Sequence, residues 1–332
     1  MNIPADVKSL LQAHKVAVLC RNPLVLVAFE RDFVAHTDEL AAFVRAYSGA
    51  AVLLQLGWEY ESAVKSGELA GWIARFRERA PDARVVVLCN SPREPAVLAA
   101  RGLEAILANH NAFLDERRYR PLPSRKRFDA AYLARLTPVK RHELIPASLA
   151  PRLLCLGAIV LPDEVEWAAA ARARLAAATW ISYFPGHRVS GLLSQARCGL
   201  ALSAIEGAFF GSSEYLLCGL PVVDTPALGG RDALYPPEFV ESAEATQDGV
   251  AAGVERWKAA QPDPWRVRAA WLAKARPHRD AFLALMRDLT GRDQGRPPHK
   301  LGLRTPHPGT AWTLAMAAKN RMAACMPFLF RP

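Results

Sequence analysis

Two carboxylates, Glu206 and Glu214, lie in a stretch in which only GAFFGSS separates them. Gly207, Ala208 and Gly211 leave backbone N–H groups uncovered at the start of a predicted helix, whose positive dipole end favours an anion. Carboxylates accept the paired hydroxyls of a sugar or a ribose well, and each hydrogen bond to a charged group contributes about 1.5–3 kcal/mol. The stretch therefore predicts a site for a hydroxyl-rich phosphate ester.

A second pair of charged residues precedes this stretch. Arg135 and Lys140 have four residues between them and lie after an apolar strand, within FDAAYLARLTPVKRHEL (128–144). The junction of a strand end with a helix start is a favourable place for a phosphate. Fixed cations there stabilise the negative charge that builds on a leaving phosphate when its bond to a sugar breaks.

Structural interpretations of these residues stay open. Ser212 or Ser213 would cap the helix, and Glu214 would lie in its first turn because the helix dipole favours an acid there. Arg135 and Lys140 would be solvated cations beside a loop, as most charged residues are. The combination of the two pairs favours the functional interpretation.

The elements around the acidic loop have an α/β order. An apolar strand over 198–203 precedes the loop, and the helix after it ends at Cys218-Gly219, where glycine allows a left-handed cap. A short strand over 220–223 and a Gly229-Gly230 turn follow. Both acids thus fall outside the carboxyl end of a strand, where open α/β sheets bind ligands.

These motifs resemble the signature of retaining GT-B glycosyltransferases of family 4. The resemblance includes two Glu residues eight positions apart, then CGLPVV and a Gly-Gly turn, and an Arg-x4-Lys segment upstream. It implies that Glu206 faces the donor sugar and Glu214 binds the ribose hydroxyls, while Arg135 and Lys140 grip the donor diphosphate. Phe209 stands at the family's Phe/Gly position and is implied to contact the donor with residues 207, 208 and 211.

The resemblance implies retention of configuration, with no cofactor and no essential metal, because cations and helix-end amides hold the phosphate. No separate nucleophile is evident, and the leaving phosphate assists deprotonation of the acceptor. The chain departs from the family in two places. The glycine after Lys140 is Arg141, and the Gly-rich turn after the first strand reads Cys20-Arg21-Asn22-Pro23. Either Arg21 and neighbouring amides replace that turn, or this half contributes less to donor binding.

The chain outside the motifs predicts two Rossmann-like domains with a cleft between them. Apolar runs at 16–20, 51–57 and 83–91 predict parallel strands, and helical periodicity at 37–47 and 61–79 supplies the crossovers. We expect an acceptor domain over 1–120 and a donor domain over 121–290. His110 and Tyr183 are candidate cleft residues, with a structural histidine and a core tyrosine as the alternatives.

Composition and charge are those of a folded cytoplasmic protein. Of 332 residues, 51% are hydrophobic and 22% charged, and six scattered cysteines favour reduced core thiols. A secretory signal and a run of 18 apolar residues are not expected. Net charge is +10, and the segment 291–332 carries seven Arg or Lys against one Asp, a net +6. We expect this basic tail to pack on the N-terminal domain or to contact the inner face of the membrane.

The predicted function is transfer of a sugar from a nucleotide-sugar donor to a glycan, a lipid-linked molecule or another acceptor. One alternative is a nucleotide-sugar epimerase of the same fold. Another is a non-catalytic protein whose basic tail binds an anion, nucleic acid or a membrane surface. No nucleic-acid motif with interleaved aromatic residues was found, so nucleic acid is not an expected partner.

Overall fold

Parallel strands and helices alternate along the chain, as the apolar runs predicted. The computed structural model describes residues 16–157, 164–182, 184 and 186–291. The described chain forms two units: unit 1 comprises 16–113 and 276–291, and unit 2 comprises 114–275. One long helix at the end thus contributes its last part to unit 1, whereas the expected donor domain ran to 290. The basic tail beyond residue 291 and Tyr183 lie outside the described residues.

Unit 1 is built on a largely parallel sheet. Its strands are β1 (Ala17–Arg21), β2 (Leu24–Phe29), β3 (Ala51–Gln55), β4 (Arg84–Cys89) and β5 (Glu104–Leu107). They lie side by side in chain order, parallel from β2 to β5. The connecting helices are α1 (Glu30–Ala35), α2 (Thr37–Val44), α3 (Ala63–Arg79) and α4 (Glu94–Ala99). Leu26, Leu54 and Val87 of the strands share one core with Phe33 and Ile73 of the helices.

The start of unit 1 corrects the sequence analysis. The apolar run after Pro23 forms β2, which pairs with β1 in an antiparallel hairpin. Cys20-Arg21-Asn22-Pro23 is therefore the end and turn of a hairpin, so its interpretation as the counterpart of a Gly-rich turn is wrong. Strands joined by so short a turn must run in opposite directions, whereas parallel strands need a crossover. The first parallel strand is β2, and it leads directly into α1 at Glu30.

Unit 2 is built on a fully parallel sheet. Its strands are β6 (Phe128–Leu133), β7 (Leu153–Leu156), β8 (Thr179–Ile181), β9 (Ala196–Ala201), β10 (Val222–Asp224) and β11 (Val240–Ser242). Its helices are α5 (Val165–Arg174), α6 (Val189–Leu193), α7 (Phe210–Leu217), α8 (Gln247–Ala260) and α9 (Pro264–Thr290), the last continuing into unit 1. The predicted order of strand, acidic loop, helix and strand around residue 206 is confirmed.

The strand order of unit 2 reverses between β6 and β9. The sheet runs β11-β10-β9-β6-β7-β8, so the chain leaves β6 towards β7 and β8 and then returns to the other side of β6. The crossovers on either side of this point diverge, which opens a crevice at the carboxyl ends of β6 and β9. Both predicted pairs of charged residues lie in the segments that follow these two strands or in the helix after them.

Two glycines set the position of α7. A β-carbon on Gly211 would lie 2.9 Å from the carbonyl oxygen of Leu133, so the first turn of the helix packs directly on the end of β6. Gly219 follows the helix at φ +79°, which confirms the predicted left-handed cap. It also lies against Pro264, since an added β-carbon would be 2.6 Å from that residue's carbonyl oxygen. Glycine is therefore required at both ends of α7.

The long helix α9 packs through different side chains in each unit. In unit 2, Trp271 is buried and its indole N–H donates to Ser213 Oγ at 3.3 Å. In unit 1, His278 Nδ1 accepts the backbone N–H of Asn109 at 3.1 Å, and the ring of Phe282 lies edge-on to that of Phe113. None of the helices in the described part of the chain is long and apolar enough to span a membrane.

Candidate functional site

Lys140 and Glu206 meet at the switch point of unit 2. Lys140 ends a short 3-10 helix (Pro138–Lys140) after β6, and Glu206 lies in the loop after β9. The Lys140 ammonium donates to Glu206 Oε1, and each side chain is only 10% exposed. The structure thus brings together two residues predicted from separate motifs, 66 positions apart.

Backbone and ring contacts hold this pair in place. Tyr132, on β6, donates its hydroxyl to the carbonyl oxygen of Lys140. The backbone N–H of Glu206 donates to Leu228 at 3.0 Å, which ties the acidic loop to the segment after β10. The ring of Phe209 lies 4.5 Å from the Lys140 ammonium, a cation–π distance. Phe209 therefore contacts the site through the lysine, and its contact with a donor stays a prediction.

The charge of Lys140 depends on its surroundings. Burial, together with the nearby Arg135 and Arg231 cations, lowers the pKa of the Lys140 amine to about 7. The Glu206 carboxylate in direct contact opposes this effect, because an adjacent anion favours the ammonium form. An anion beside Lys140 thus increases the fraction of the amine that is charged at neutral pH.

Arg135 stands apart from the pair. Its side chain is exposed, and it makes no ion pair or hydrogen bond with any residue in the described ranges. Its charge nevertheless reaches Lys140, since it contributes to lowering the lysine pKa. Arg135 is thus a cation at the rim of the site whose donor groups are open to solvent.

The start of α7 is not capped by a serine. The cap residue is Phe209, and no side chain among the described residues caps the helix there. The hydroxyl of Ser212 donates back to the Phe209 carbonyl at 2.8 Å, and Ser213 accepts from Trp271. The alternative in which a serine caps the helix and Glu214 lies in its first turn is therefore wrong. Glu214 lies in the second turn and is 1% exposed.

The loop between Glu206 and α7 is closely packed. Gly207 and Ala208 are buried, and Gly211 lies against the ring of Phe209, 2.5 Å from where its β-carbon would be. The first N–H groups of α7 follow this loop directly, and a helix start without a side-chain cap favours an anion. The roles of these residues and of Glu214 towards a ligand stay predictions.

Arg231 is a buried cation beside the site that the sequence analysis did not single out. Its guanidinium, 2% exposed, donates to the carbonyl oxygens of Ala201 at 2.9 Å and Ser203 at 2.7 Å. It also donates to Asp224 Oδ2 at 3.1 Å and to Asp232 Oδ1 at 2.8 Å. The group thereby joins the ends of β9 and β10 below the acidic loop. A lone cation in a run of small and apolar residues, flanked by two acids, was the available signal.

Arg141 occupies the position of the glycine in the family motif. Its backbone is left-handed, with φ 49° and ψ 48°, a conformation that costs a non-glycine residue about 1–2 kcal/mol. Its side chain donates to the Leu202 carbonyl and to Thr225 Oγ1, the latter at 2.6 Å. Glycine is thus absent, but the backbone conformation that favours glycine is kept and the side chain braces the next two strand ends.

His110 belongs to unit 1 and is 3% exposed. Its Nδ1 lies 3.2 Å from the Leu56 carbonyl oxygen, and its backbone N–H donates to Asn90 Oδ1 at 3.1 Å. Because a carbonyl only accepts, Nδ1 carries the ring hydrogen and Nε2 is the basic nitrogen. The ring also lies edge-on to Phe29, with centroids 6.0 Å apart. A role in a cleft stays a prediction, as does that of Tyr183, which lies outside the described residues.

A metal site was not expected. Within the described ranges, no group of three or more His, Cys, Asp and Glu side chains is arranged to hold a metal ion. The cysteines at 20, 89, 155, 198 and 218 are free thiols. Independence from a metal is a property of the reaction and stays a prediction.

The two Rossmann-like units define the class of fold as GT-B. HepE from Anabaena, solved with UDP and glucose, is similar with a TM-score of 0.59 and 16% identity, over 86% of this chain and 80% of that one. Sucrose-phosphate synthase from Thermosynechococcus elongatus is similar with a TM-score of 0.56 and 16% identity, over 85% and 76%. AviGT4, a glycosyltransferase involved in avilamycin A biosynthesis, gives 0.52 and 18%, over 77% and 79%. No protein-family model and no curated protein matches the chain.

Proposed function

We propose that the protein is a glycosyltransferase that moves a sugar from a nucleotide-diphosphate donor to a hydroxyl-bearing acceptor. The observation that carries the proposal is the buried contact between Lys140 and Glu206 at the switch point of unit 2. This is where open α/β sheets bind ligands, and the pair combines a phosphate-binding cation with a hydroxyl-binding acid. The likeness to HepE, solved with UDP and glucose, supports a nucleotide-sugar donor.

The arrangement has a chemical logic. A donor diphosphate would replace Glu206 as the anion beside Lys140 and keep the lysine charged, while Glu206 turns to the hydroxyls of the sugar. The diphosphate would also meet Arg135 and the uncapped N–H groups of α7. As the sugar–phosphate bond breaks, negative charge grows on the leaving oxygen, and these fixed positive groups stabilise it. Glu214 binds the ribose hydroxyls.

The finer features belong to the same proposal. The transfer retains configuration and needs no essential metal, because cations and amides neutralise the diphosphate. The acceptor is a glycan or a lipid-linked molecule handled in the cytoplasm. A basic segment with net +6 over 291–332 supports contact with an anionic membrane surface at its inner face.

Nucleotide binding tests the proposal. A panel of nucleotide sugars is screened for a rise in melting temperature, and UDP and GDP are titrated by calorimetry. We expect one donor to stabilise the protein and Glu214→Ala to weaken its nucleotide roughly ten- to a hundredfold, equivalent to about 1.5–3 kcal/mol. Glu238→Ala, which removes an exposed acid of unit 2, is the matched control. A protein that binds no nucleotide would contradict the proposal.

Turnover tests the chemical role. Lys140→Ala should lower the rate of donor consumption more than it lowers donor affinity, because charge develops in the transition state. Lys274→Ala, a change of an exposed lysine on α9, is the control. Product analysis with and without an acceptor separates transfer from epimerisation, and the anomeric configuration of the product tests retention. A normal turnover number in Lys140→Ala would contradict the role of this lysine.

A further inference from the structure

The amino edge of the unit 2 sheet, where its parallel strands begin, carries a row of charged residues. Asp129 is the second residue of β6, Arg152 directly precedes β7, and Arg197 is the second residue of β9. The backbone register of β6 with β7 and with β9 places Asp129 level with both arginines. Side chains at the same level of neighbouring parallel strands point to the same face of a sheet. The three charged side chains therefore form one row across the sheet.

Asp129 holds the cations of this row in place. Its side chain is 6% exposed, and its Oδ1 atom lies 2.8 Å from Arg152 Nε and 3.8 Å from Arg197 Nε. Lys258, in the last turn of α8, places its ammonium 3.2 Å from the other oxygen, Oδ2. Burial alone would raise the pKa of Asp129, but the hydrogen bonds and charges of Arg152 and Lys258 outweigh burial and lower it. One ionised carboxylate thus stands against three cations.

Lys126 adds a cation with no acidic partner among the residues that the structure describes. Its ammonium donates to the carbonyl oxygens of Ser194 at 2.9 Å and Ala196 at 2.7 Å. Burial lowers the pKa of this amine, and the Arg197 cation lowers it further. The charges of Lys126 and Arg197 therefore repel each other, and an anion that contacted both would stabilise both charged forms.

These cations keep hydrogen-bond donors that a ligand can reach. The side chains of Arg152 and Arg197 are 49% and 25% exposed. Their terminal guanidinium nitrogens make no hydrogen bond with any residue in the described ranges. The ammonium of Lys126 has three N–H groups and uses two of them on carbonyl oxygens. Guanidinium groups bind phosphate oxygens through two parallel hydrogen bonds, so this row has the donors of a phosphate site.

The charge balance of the edge favours an anion. Six basic residues and two acids lie at this edge or directly beside it, a net charge of +4. They are Arg125, Lys126, Arg127, Arg152, Arg197 and Lys258, with Asp129 and Glu255. The six residues of β6, at about 3.3 Å each, separate this edge from the segment that carries Lys140 by about 20 Å. A ligand bound here would therefore be distinct from a donor at the candidate site.

We propose that the amino edge of unit 2 binds a phosphate or diphosphate group, with the guanidinium groups of Arg152 and Arg197 and the ammonium of Lys126 as donors. Asp129 is a positioning residue that orients the two arginines. The ligand is a phosphorylated molecule in solution or the headgroup of an anionic membrane lipid, because both present the same phosphate oxygens. The inference does not depend on the sugar transfer proposed for the carboxyl edge.

Calorimetry with pyrophosphate tests the site. Pyrophosphate is titrated at low ionic strength into the full chain saturated with the nucleotide that binds it, or into Lys140→Ala if none does. We expect Arg197→Gln to bind it at least about tenfold more weakly than the chain with Arg197, because charge-assisted hydrogen bonds are lost. This variant leaves Asp129 paired with Arg152 and Lys258, so we expect it to fold. Arg256→Gln, which changes a 65% exposed arginine of α8, is the matched control.

Asp129→Asn changes the affinity in the opposite direction. The amide keeps the shape of the side chain and removes the anion that competes for the arginines, so pyrophosphate should bind more tightly by roughly three- to tenfold. A row with a purely structural role would gain no affinity for an anion. Melting curves with and without pyrophosphate establish that each variant is folded.

Vesicles distinguish the two sources of the phosphate. Wild type and Arg197→Gln are sedimented with phosphatidylglycerol vesicles and with phosphatidylcholine vesicles, and the segment 291–332 is present in both proteins. Weaker binding of Arg197→Gln to phosphatidylglycerol alone would assign a lipid headgroup to the site, whereas weaker binding of pyrophosphate alone would assign a soluble ligand. Equal binding of pyrophosphate and of vesicles by the two proteins would overturn the proposal. An unchanged or lower affinity of Asp129→Asn for the ligand that binds would also overturn it.

Nucleotide affinity separates this inference from the proposed function. It should be the same in wild type and Arg197→Gln, because the two sites lie at opposite edges of the sheet. A chain that binds pyrophosphate through Arg197 but binds no nucleotide would contradict the donor site and support the site at the amino edge.

Discussion

The carboxyl edges of the two units differ in their charged side chains: unit 2 has buried cations beside its acids, whereas the buried charged groups of unit 1 are acids. At the carboxyl edge of unit 2, Lys140, Arg141 and Arg231 surround the loop after β9. At the carboxyl edge of unit 1, the loops after the strands carry Glu30 and Glu94 among neutral amides. Both edges are the ligand side of a parallel sheet. The difference teaches that sheets of similar architecture carry different charged side chains at their carboxyl ends, so local side chains and not the architecture set the charge of each edge.

The largest expected effect concerns the cations of unit 2. Arg231→Met removes the guanidinium that joins Ala201, Ser203 and Asp224, and it leaves a buried acid unpaired. Breaking a buried ion pair on one side costs about 3–5 kcal/mol, so we expect the free energy of unfolding in urea to fall by that amount.

The control for this variant is Arg256→Met. Arg256 pairs with Glu241 at 2.8 Å, but its side chain is 65% exposed, and such surface pairs contribute about 0–1 kcal/mol. Equal free energies of unfolding for Arg231→Met and Arg256→Met would show that the buried Arg231 does not stabilise the ends of β9 and β10. Lys140 would then be the main cation that distinguishes unit 2 from unit 1.

An intermediate loss of stability is expected when the buried acid Glu94 of unit 1 is replaced. Glu94 is fully buried, and its carboxylate accepts the backbone N–H groups of Tyr60 at 3.1 Å, Asn90 at 2.7 Å and Ser91 at 3.0 Å. Glu94→Gln turns an amide N–H₂ group towards these donors, and we expect a loss of about 1–3 kcal/mol in the free energy of unfolding near pH 5.

The pH dependence of this loss follows from burial. Burial raises the pKa of Glu94 from 4.5 to about 7, so the folded protein holds the proton more tightly than the unfolded chain between these values. The free energy of unfolding of the wild type therefore falls as pH rises from 4.5 to 7, and the gap to Glu94→Gln narrows. Urea titrations at pH 5 and pH 8 measure the difference in the free energy of unfolding between the wild type and Glu94→Gln, and Glu78→Gln is the control. A gap that widens with pH would contradict this assignment.

The smallest expected effect is a proton taken up with the nucleotide. The pKa of Lys140 is lowered to about 7 in the free protein, and a bound diphosphate raises it because it brings more negative charge beside the amine than the single Glu206 carboxylate does. The dissociation constant of UDP should therefore rise from pH 7 to pH 9, by a few-fold up to about tenfold per pH unit.

Calorimetry in two buffers of different ionisation heat measures this uptake directly. Lys140→Arg is the matched variant, because a guanidinium stays charged over the whole range and should abolish the pH dependence. Identical binding heats in both buffers for the wild type would show that no proton is taken up. Such a result would contradict the proposal that the diphosphate binds beside Lys140.

Much of unit 2 could be predicted from local pattern. The apolar run before residue 203 forms β9, the apolar helix after the acidic loop forms α7, and Gly219 ends it in a left-handed conformation. These features depend on residues within a few positions of each other, so sequence spacing reports them. The serine cap failed because Ser212 and Ser213 bond to Phe209 and Trp271, and the latter is far away in the chain.

The sequence by itself determined most of the elements and the types of side chain that follow the strands, although the strand β2 after Pro23 was not predicted. Only the tertiary structure decided that β9 lies beside β6, which brings Glu206 to Lys140 across 66 positions. The same holds for the burial of Arg231 and for the hairpin that makes Glu30 the end of the first parallel strand. Strand order and burial result from packing between distant segments, and a local sequence pattern does not predict which segments will pack together.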